Sequence, residues 1–289
     1  MTNGHNSGTY PYISVVVPML NAGQYVESCA VALLEQRYPT DCYELIFVDN
    51  GSRDGSCDAV RRFPRIRLQS ESKRGAYAAR NRGIGEAHGS IVAFTDPDCA
   101  PAPDWLSNIA AVMEDPAVQI ALGQVVSCDS GPLALLDAYW HERGEYIFSG
   151  TAPDLYYGYA NNMAARRALF DTLGYFSEIP RGGDVLFVRR VVYNSGVEVV
   201  QYSPGMLTRH LEVAGIWSWL RKMFIYGRTI RSNVPAASNR PLSPAEQMEV
   251  FRRTVRRRGY SLGTSALLFT LLALGVTAHW FGRLMPRRV

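Results

Sequence analysis

Two apolar patterns alternate along the N-terminal third of the chain. Uninterrupted runs rich in β-branched residues predict strands covered on both faces, at 12–20, 43–52, 65–71 and 90–96. Between these runs apolar residues recur at helical spacing, as at Val26, Ala30 and Leu33. Strands that alternate with helices predict an α/β fold with a mostly parallel central sheet flanked by helices. In such sheets ligands bind beyond the carboxyl ends of the strands.

The middle of the chain continues both patterns less regularly. The strand pattern predicts strands within 118–131 and 197–205. The helical pattern predicts helices over 133–148 and 182–196. A strand or loop that starts near Tyr156 becomes a helix around Arg166–Leu173. This part therefore extends the α/β arrangement and does not start a different fold.

The pattern changes after His210. A basic amphipathic helix is predicted over 215–231, where Trp217, Leu220 and Phe224 share one face. A second helix is predicted to begin at Ser243, because Glu246 follows three residues later in the spacing of a capping box. These two amphipathic helices follow what looks like a complete α/β domain.

The segment 263–282 carries no charged residue and has about the 20-residue length that a helix needs to cross a bilayer. Arginines flank it on both sides, and Trp280 lies near one end. We expect a membrane helix here, either single-pass or peripheral. A buried core helix, a helix hairpin and a helix in the plane of the membrane are the alternatives.

Charge and cysteine content refine this view. The net charge of +4 is concentrated in arginines near the C-terminus, which predicts an anionic partner surface. Because these arginines adjoin apolar and aromatic residues, membrane is favoured and nucleic acid is not expected. The cysteines, odd in number and without a C-x-x-C pair, predict reduced thiols in a cytosolic compartment, at Cys29, Cys42, Cys57, Cys99 and Cys128.

Two acids, Asp96 and Asp98, directly follow the fourth predicted strand. Neighbouring carboxylates repel each other and are costly to desolvate, so a cation is expected beside them. Oxygen ligands of this kind suit a hard divalent ion, Mn²⁺ or Mg²⁺. The alternative is a solvated turn, since acid pairs are common in loops.

Four sequence blocks follow strands in order: VVVPMLNAG, LIFVDNGSRDGS, GAYAARNRGI and IVAFTDPDC. With a fifth, ANNMAARRALFDTLGYFSEIPRGGDVLFVRRV, they resemble the inverting GT-A glycosyltransferases of family 2 over residues 12–210. The resemblance implies a Rossmann-like nucleotide-binding sheet, a D-x-D motif and a metal-bound nucleotide sugar.

The resemblance also implies roles for individual residues. Base and ribose would be held by Pro18, Leu20, Asn21, Asp49, Asn50 and Ser52. Arg80 and Asn81 would close over the nucleotide, and Asp96 would bind ribose and metal. Asp98 would be the principal metal ligand, and His210 a further one. The chain departs from the family where Asn50 replaces an acid, Leu20 an aromatic residue and Gly183 an acid.

Asp184 would be the general base. An inverting transfer is a single displacement that needs one carboxylate to take the acceptor's proton. The two glycines before Asp184 allow a sugar to approach closely. The alternative is that Asp184 only caps its helix. For His210 the alternative is an ordinary surface or core histidine, and Lys222 could meet either pyrophosphate or lipid headgroups.

These observations predict a metal-dependent transferase on the cytoplasmic face of the cell membrane, where nucleotide sugars are made. It would use a UDP-sugar and a glycan or lipid-linked acceptor. A nucleotidyltransferase and a non-catalytic nucleotide-sugar-binding module are the alternatives. The oligomeric state is not specified by the sequence.

The expected organisation has four parts. A flexible tail (1–11) precedes the catalytic domain (12–212), with a nucleotide half (12–100) and an acceptor half (101–212). A basic amphipathic region (213–260) and a membrane helix (261–285) follow.

Overall fold

The computed structural model describes residues 10–127, 130–213, 215–229 and 240–285. Most of the predicted tail, residues 1–9, and Cys128 lie outside the described residues. The described part contains the predicted alternation of strands and helices, followed by three C-terminal helices. It is a mixed α/β fold, which confirms the predicted class.

Eight strands form one sheet. They are β1 (Ile13–Met19), β2 (Tyr43–Asp49), β3 (Ile66–Ser70), β4 (Ile91–Thr95), β5 (Cys99–Pro101), β6 (Ile120–Val126), β7 (Asn162–Arg166) and β8 (Val200–His210). Their order across the sheet is β3-β2-β1-β4-β7-β6-β8-β5. Strands β1 to β4 pair in parallel, whereas β7 is antiparallel to both of its neighbours and β5 is antiparallel to β8.

Ten α-helices connect and cover these strands in the described part of the chain. They are α1 (Val26–Leu34), α2 (Ser56–Arg61), α3 (Ala76–Gly85), α4 (Trp105–Val112), α5 (Gly131–Phe148), α6 (Ala168–Leu173), α7 (Gly183–Ser195), α8 (Ile216–Thr229), α9 (Pro244–Arg258) and α10 (Leu262–Leu284). A short 3-10 turn at Pro153–Leu155 lies between α5 and β7. The predicted capping box of α9 is confirmed, because the Ser243 hydroxyl and the Glu246 carboxylate each accept the other's backbone N–H.

The parallel half of the sheet positions the site. Strands β1, β2 and β4 are adjacent and parallel, so the loops that follow Met19, Asp49 and Thr95 leave the same edge. The sheet is packed on both faces by buried side chains, as the continuous apolar runs predicted.

The short strand β5 was not predicted. Its three residues pair with the end of β8, which aligns Cys99 with His210. A three-residue strand that ends in Pro101 has too little pattern to be detected, and its position depends on its partner. This pairing brings the D-x-D loop beside a histidine that is remote in sequence.

The C-terminal helices pack on the domain through a third apolar cluster. Helix α10 lies against α8 and also contacts α5. Its glycines permit this close approach, since a Cβ at Gly282 would be 2.1 Å from the carbonyl oxygen of Phe224. A Cβ at Gly227 of α8 would likewise be 1.9 Å from the carbonyl oxygen of His279.

Helix α10 is long and apolar enough, by length and composition, to cross a membrane, and among the described helices it alone passes that test. One side of it is buried against α8 and α5, at Leu268, Leu271 and Gly275. Leu272 is half-buried against the same cluster. The exposed large apolar side chains of the helix are Leu262, Leu267, Phe269, Leu274, Val276, Trp280, Phe281 and Leu284. The helix is therefore docked on the domain and still presents an apolar surface.

Candidate active site

The loops after β1 and β2 are joined by side-chain hydrogen bonds. The backbone N–H of Asn21 donates to Ser52 Oγ at 2.9 Å, and the backbone N–H of Arg53 donates to Asn21 Oδ1 at 2.9 Å. Asn21 has a φ of +50°, which asparagine tolerates better than most residues. Asp49 accepts the backbone N–H of Ser52 at 3.1 Å. The structure thus brings Asn21, Asp49 and Ser52 together at one edge of the sheet.

Asn50 has a different surrounding from the one expected of a base-reading residue. It is buried, and its amide donates to the carbonyl oxygens of Glu71 (2.9 Å) and Lys73 (2.8 Å). Its Oδ1 accepts the backbone N–H of Gly75 at 2.7 Å. Because these bonds use the amide within the protein, Asn50 holds the 71–75 loop in place.

Asn81 is likewise engaged internally. Its side chain exchanges two hydrogen bonds with the backbone of Phe176 and donates a third, at 3.1 Å, to Glu178. Pro18 is buried within β1, whereas Leu20 is exposed at the strand end. Among Pro18, Leu20 and Asn81, Leu20 alone is exposed at the protein surface.

Asp96 is paired with a buried arginine. The guanidinium of Arg80 donates to Asp96 Oδ1 and lies over the ring of Tyr77, 5.2 Å from its centroid. Arg80 is 5% exposed, and its Nε has no hydrogen-bond partner. Asp96, together with Asp184, raises the pKa of Arg80 against the opposing effect of burial. The pair places a fixed positive charge behind the Asp96 carboxylate.

Asp98 faces His210 across the β5–β8 pairing. Its Oδ2 lies 3.5 Å from Nε2 of His210, and both side chains are largely buried. Lys222 of α8 donates to the same Nε2 and, at 3.1 Å, to Glu212. Burial raises the pKa of Asp98, with a further contribution from Asp96, although His210 lowers it. Burial also lowers the pKa of His210.

These groups fit a divalent cation. Donor atoms of Asp98, Cys99 and His210 lie within 4.8 Å of one another, and the cationic Nζ of Lys222 already approaches this point. A carboxylate oxygen with an imidazole nitrogen suits Mn²⁺, while Mg²⁺ prefers oxygen ligands. Burial raises the pKa of the Cys99 thiol well above its ordinary value. Hard ions such as Mg²⁺ also prefer oxygen to sulfur ligands, so the proposed ligand set contains Asp98 and His210.

Asp184 is held by three donors at the start of α7. Its Oδ1 accepts the Tyr77 hydroxyl at 2.7 Å and the Val185 backbone N–H at 2.9 Å. Its Oδ2 accepts the backbone N–H of Ala160 at 2.9 Å. A carboxylate offers about four acceptor positions, so one remains for an acceptor hydroxyl. The residue is 7% exposed, which leaves narrow access.

Tyr77 was missed at the sequence level. It precedes Arg80 by three residues on α3, so both side chains lie on one helix face. The spacing was visible in the sequence, but the partner of the hydroxyl is more than a hundred positions away. No local pattern could have identified that contact.

The profile of one protein family, described as Glycosyl transferase family 2, matches residues 14–174, more than half of the 289-residue chain. The chain belongs to glycosyl transferase family 2. Within this family-2 chain, the residues from Pro18 to Asp98 lie inside the matched segment. Asp184 and His210 lie beyond it.

Curated relatives of this family-2 chain are glycosyltransferases. Glycosyltransferase AglE of Haloferax volcanii is 29% identical over an alignment of 206 positions that covers 64% of this chain and 62% of AglE. Glycosyltransferase GlyG of Streptococcus pneumoniae is 34% identical over 122 residues, 40% of each chain. The matched segments span less than two thirds of either relative's own length.

Solved structures share the fold. The mannosyltransferase PcManGT from Pyrobaculum calidifontis, in complex with GDP-Man and Mn²⁺, has a TM-score of 0.61 at 24% identity and covers 95% of this chain and 84% of its own. Residues 1–349 of S. aureus TarS, in complex with UDP-GlcNAc, have a TM-score of 0.55 at 19% identity and cover 92% and 81%. These similarities confirm the GT-A-like fold of the family-2 chain.

Proposed function

We propose that this family-2 chain is an inverting glycosyltransferase that moves a sugar from a nucleoside diphosphate sugar to an acceptor hydroxyl. One observation carries the proposal. On a single face of α3, Arg80 pairs with Asp96 and Tyr77 hydrogen-bonds Asp184. The acid assigned to the donor and the acid assigned to the acceptor are therefore held at a fixed separation by one turn of helix.

On the donor side, the loops that contain Pro18–Asn21 and Asp49–Ser52 would surround base and ribose. Asp96 would bind the ribose, and its position is fixed by Arg80. In this proposal Asn50 and Asn81 position neighbouring loops and do not read the base, since their amides are used within the protein. A UDP-sugar is the donor that we propose to test first.

Asp98 and His210 would hold Mn²⁺ or Mg²⁺, with Asp98 as the principal ligand. When bound, the ion would neutralise the charge that develops on the departing diphosphate. Lys222 contributes a positive charge beside the same groups. Asp96, which would bind the ribose, would also place a second carboxylate beside the metal.

The proposed step is a single displacement. The acceptor oxygen forms a bond to the anomeric carbon while the bond from that carbon to the diphosphate breaks. The electron pair leaves with the nucleoside diphosphate, and Asp184 takes the acceptor's proton. Tyr77 and the N–H of Ala160 keep the Asp184 carboxylate oriented for this transfer.

The acceptor is proposed to be a lipid-linked or growing glycan at the cytoplasmic face of the membrane. Support comes from the exposed apolar side of α10 and from Arg256–Arg258 at the end of α9. Since α10 is docked along α8, we propose peripheral attachment. The intact protein should float with phosphatidylglycerol vesicles in a density gradient, and exclusive recovery in the soluble fractions would overturn the attachment.

The donor assignment is tested by thermal unfolding with UDP-, GDP- and dTDP-sugars in the presence of Mn²⁺ or Mg²⁺. A ligand that binds the folded protein raises its melting temperature by mass action. We expect stabilisation by one nucleotide class with metal and little stabilisation with chelator. If no nucleotide sugar stabilises the protein under any of these conditions, the donor assignment is wrong.

The base assignment is tested with Asp184→Asn. We expect transfer to fall by about 10²–10⁴-fold while nucleotide binding is kept, because general base catalysis contributes a factor of that size. The matched control is Asp171→Asn on α6, an exposed acid that forms only a long ion pair with Arg167. Unchanged transfer by a folded Asp184→Asn protein would refute the base assignment.

A further inference from the structure

A group of aromatic and cationic side chains beside Asp184 has no role in the mechanism above. It consists of Trp140 and Arg143 of α5 with Tyr157 and Tyr159 of the following segment, and we call it the Arg143 cluster. The guanidinium of Arg143 lies 5.5 Å from the ring centroid of Trp140 and 5.0 Å from that of Tyr157. The rings of Tyr157 and Tyr159 are 5.1 Å apart.

The cluster is accessible to a ligand. Tyr159 is 56% exposed and Trp140 is 40% exposed. Both side chains therefore present an aromatic ring at the protein surface.

The cluster adjoins the proposed base. Ala160, which directly follows Tyr159, donates its backbone N–H to Asp184 Oδ2. The charges of Arg143 and Asp184 both act on the Tyr159 phenol. A molecule that presents its hydroxyl to Asp184 would therefore extend along this cluster.

Arg143 has unused hydrogen-bonding capacity. Its Nη1 donates to the Tyr157 hydroxyl at 2.6 Å, and it forms no ion pair with any carboxylate in the described part of the chain. A guanidinium has five N–H donors arranged to bind phosphate or carboxylate in a bidentate manner. By contrast, Arg80 and Arg257 each have a carboxylate partner.

The location of α5 favours phosphate over carboxylate as the anion that Arg143 would bind. This helix packs against α9 and α10, the helices that present the exposed apolar and basic surface. A phosphate group that links a sugar to a lipid would lie between a sugar at Asp184 and an apolar chain at α10. Aromatic faces such as Tyr157 and Tyr159 suit the apolar face of a sugar ring.

We propose that the Arg143 cluster is an acceptor subsite for a sugar that carries a phosphate ester. Arg143 binds the phosphate, and the aromatic rings contact the sugar to which that phosphate is esterified. This proposal rests on the proposed function, because it identifies the acceptor class of the same site. The phosphate could belong to a lipid-linked sugar or to a free sugar phosphate, which share the chemistry recognised here.

The test measures binding of glucose 1-phosphate, of farnesyl phosphoglucose and of uncharged methyl glucoside to the intact protein. UDP and Mn²⁺ are present so that the donor site does not take up the phosphate. Intrinsic fluorescence reports binding through Trp140, and Trp140→Phe identifies that signal. For Arg143→Gln we expect at least about tenfold weaker binding of both phosphate probes and no change for the glucoside, because a charged hydrogen bond is lost.

Two further variants control the result. Arg65→Gln removes an arginine that lies over the ring of Tyr43, away from the cluster, and should bind all probes as the native protein does. Arg143→Lys keeps the positive charge but lacks the planar guanidinium that can donate two hydrogen bonds at once, so it should bind phosphate with intermediate affinity. Circular dichroism establishes that each variant is folded.

The outcomes separate the two proposals. Equal binding of the phosphate probes by native protein and folded Arg143→Gln overturns the subsite, whatever the nucleotide results are. A failure of the proposed function appears instead as absence of nucleotide-sugar binding, and glucose 1-phosphate can then be titrated without UDP. Tighter binding of farnesyl phosphoglucose identifies a lipid-linked acceptor, and equal binding of both phosphates identifies a free sugar phosphate.

Discussion

The Tyr77 hydroxyl donates a 2.7 Å hydrogen bond to Oδ1 of Asp184, from the same face of α3 on which Arg80 pairs with Asp96. Tyr77 also accepts the backbone N–H of Gly182 at 3.1 Å, so it fixes the turn that begins α7. Burial and the nearby Asp184 raise the pKa of the Tyr77 phenol. The phenol therefore stays protonated at neutral pH and acts as a donor to the carboxylate.

Tyr77→Phe should impair turnover more than donor binding. The variant keeps the ring under Arg80 but removes a hydrogen bond to a carboxylate, a type worth about 1.5–3 kcal/mol. We expect kcat to fall by roughly tenfold or more, with the donor KM little changed. Tyr175→Phe, an exposed tyrosine that contacts Phe170, is the matched control. A Tyr77→Phe enzyme with native kcat would exclude a positioning role for the hydroxyl.

Substitutions at Asp98 and His210 should weaken metal binding. We expect His210→Ala to raise the Kd for Mn²⁺ at least ~10-fold and Asp98→Asn to raise it further, because Asp98 supplies the negative charge. Calorimetric titration with Mn²⁺ in the presence of UDP measures both. His88→Ala, at an exposed histidine beside Glu44, should leave the titration unchanged. Native affinity in both site variants would place the metal elsewhere.

The pH dependence of metal binding follows from the same pair. A metal ligand must be deprotonated. The lowered pKa of His210 keeps its ring neutral at pH 7, so its protonation opposes metal only at lower pH. The pKa of Asp98 is raised, so protonation of this carboxyl begins at a higher pH than for an ordinary aspartate. Its protonation therefore starts to oppose metal binding at that higher pH. Affinity for Mn²⁺ should therefore decrease as the pH falls, and an increase on acidification would contradict this ligand set.

Asn50→Ala should destabilise the fold. It removes three internal hydrogen bonds and leaves backbone groups of the 71–75 loop without partners. We expect a loss of about 2–4 kcal/mol in the free energy of unfolding, measured by denaturant titration. Asn194→Ala, at an exposed residue whose amide bonds only the Arg190 carbonyl, should cost less than ~0.5 kcal/mol. Similar losses for both variants would argue against the role of Asn50 in the loop.

Gly282→Ala should loosen α10 from α8. The added Cβ would lie 2.1 Å from the Phe224 carbonyl oxygen, and overpacking of this kind costs about 1–3 kcal/mol. Gly263→Ala in the same helix is the control, since the nearest atom to its Cβ would be Ser261 Oγ at 3.9 Å. We expect faster proteolysis within α10 for the first variant only. Equal proteolysis would show that α10 does not depend on this contact.

Much of the fold was predictable because its signals are local. The apolar runs of β1 to β4 and the capping box at Ser243 each depend on neighbouring residues. The approach of His210 to Asp98 depends instead on a three-residue strand, and Tyr77 acts on a residue far along the chain. The docking of α10 depends on glycines whose use is set by the opposing helix. Contacts between remote segments have no periodic signature, so the sequence alone could not specify them.

The pairing of Arg80 with Asp96 has an evolutionary consequence. Arg80 is almost wholly inside the protein, and Asp96, whose side chain is 31% exposed, supplies its carboxylate partner. Replacing Asp96 alone would leave the buried charge of Arg80 without this partner, which is strongly destabilising. Homologues of this chain that lose Asp96 should therefore also have lost Arg80.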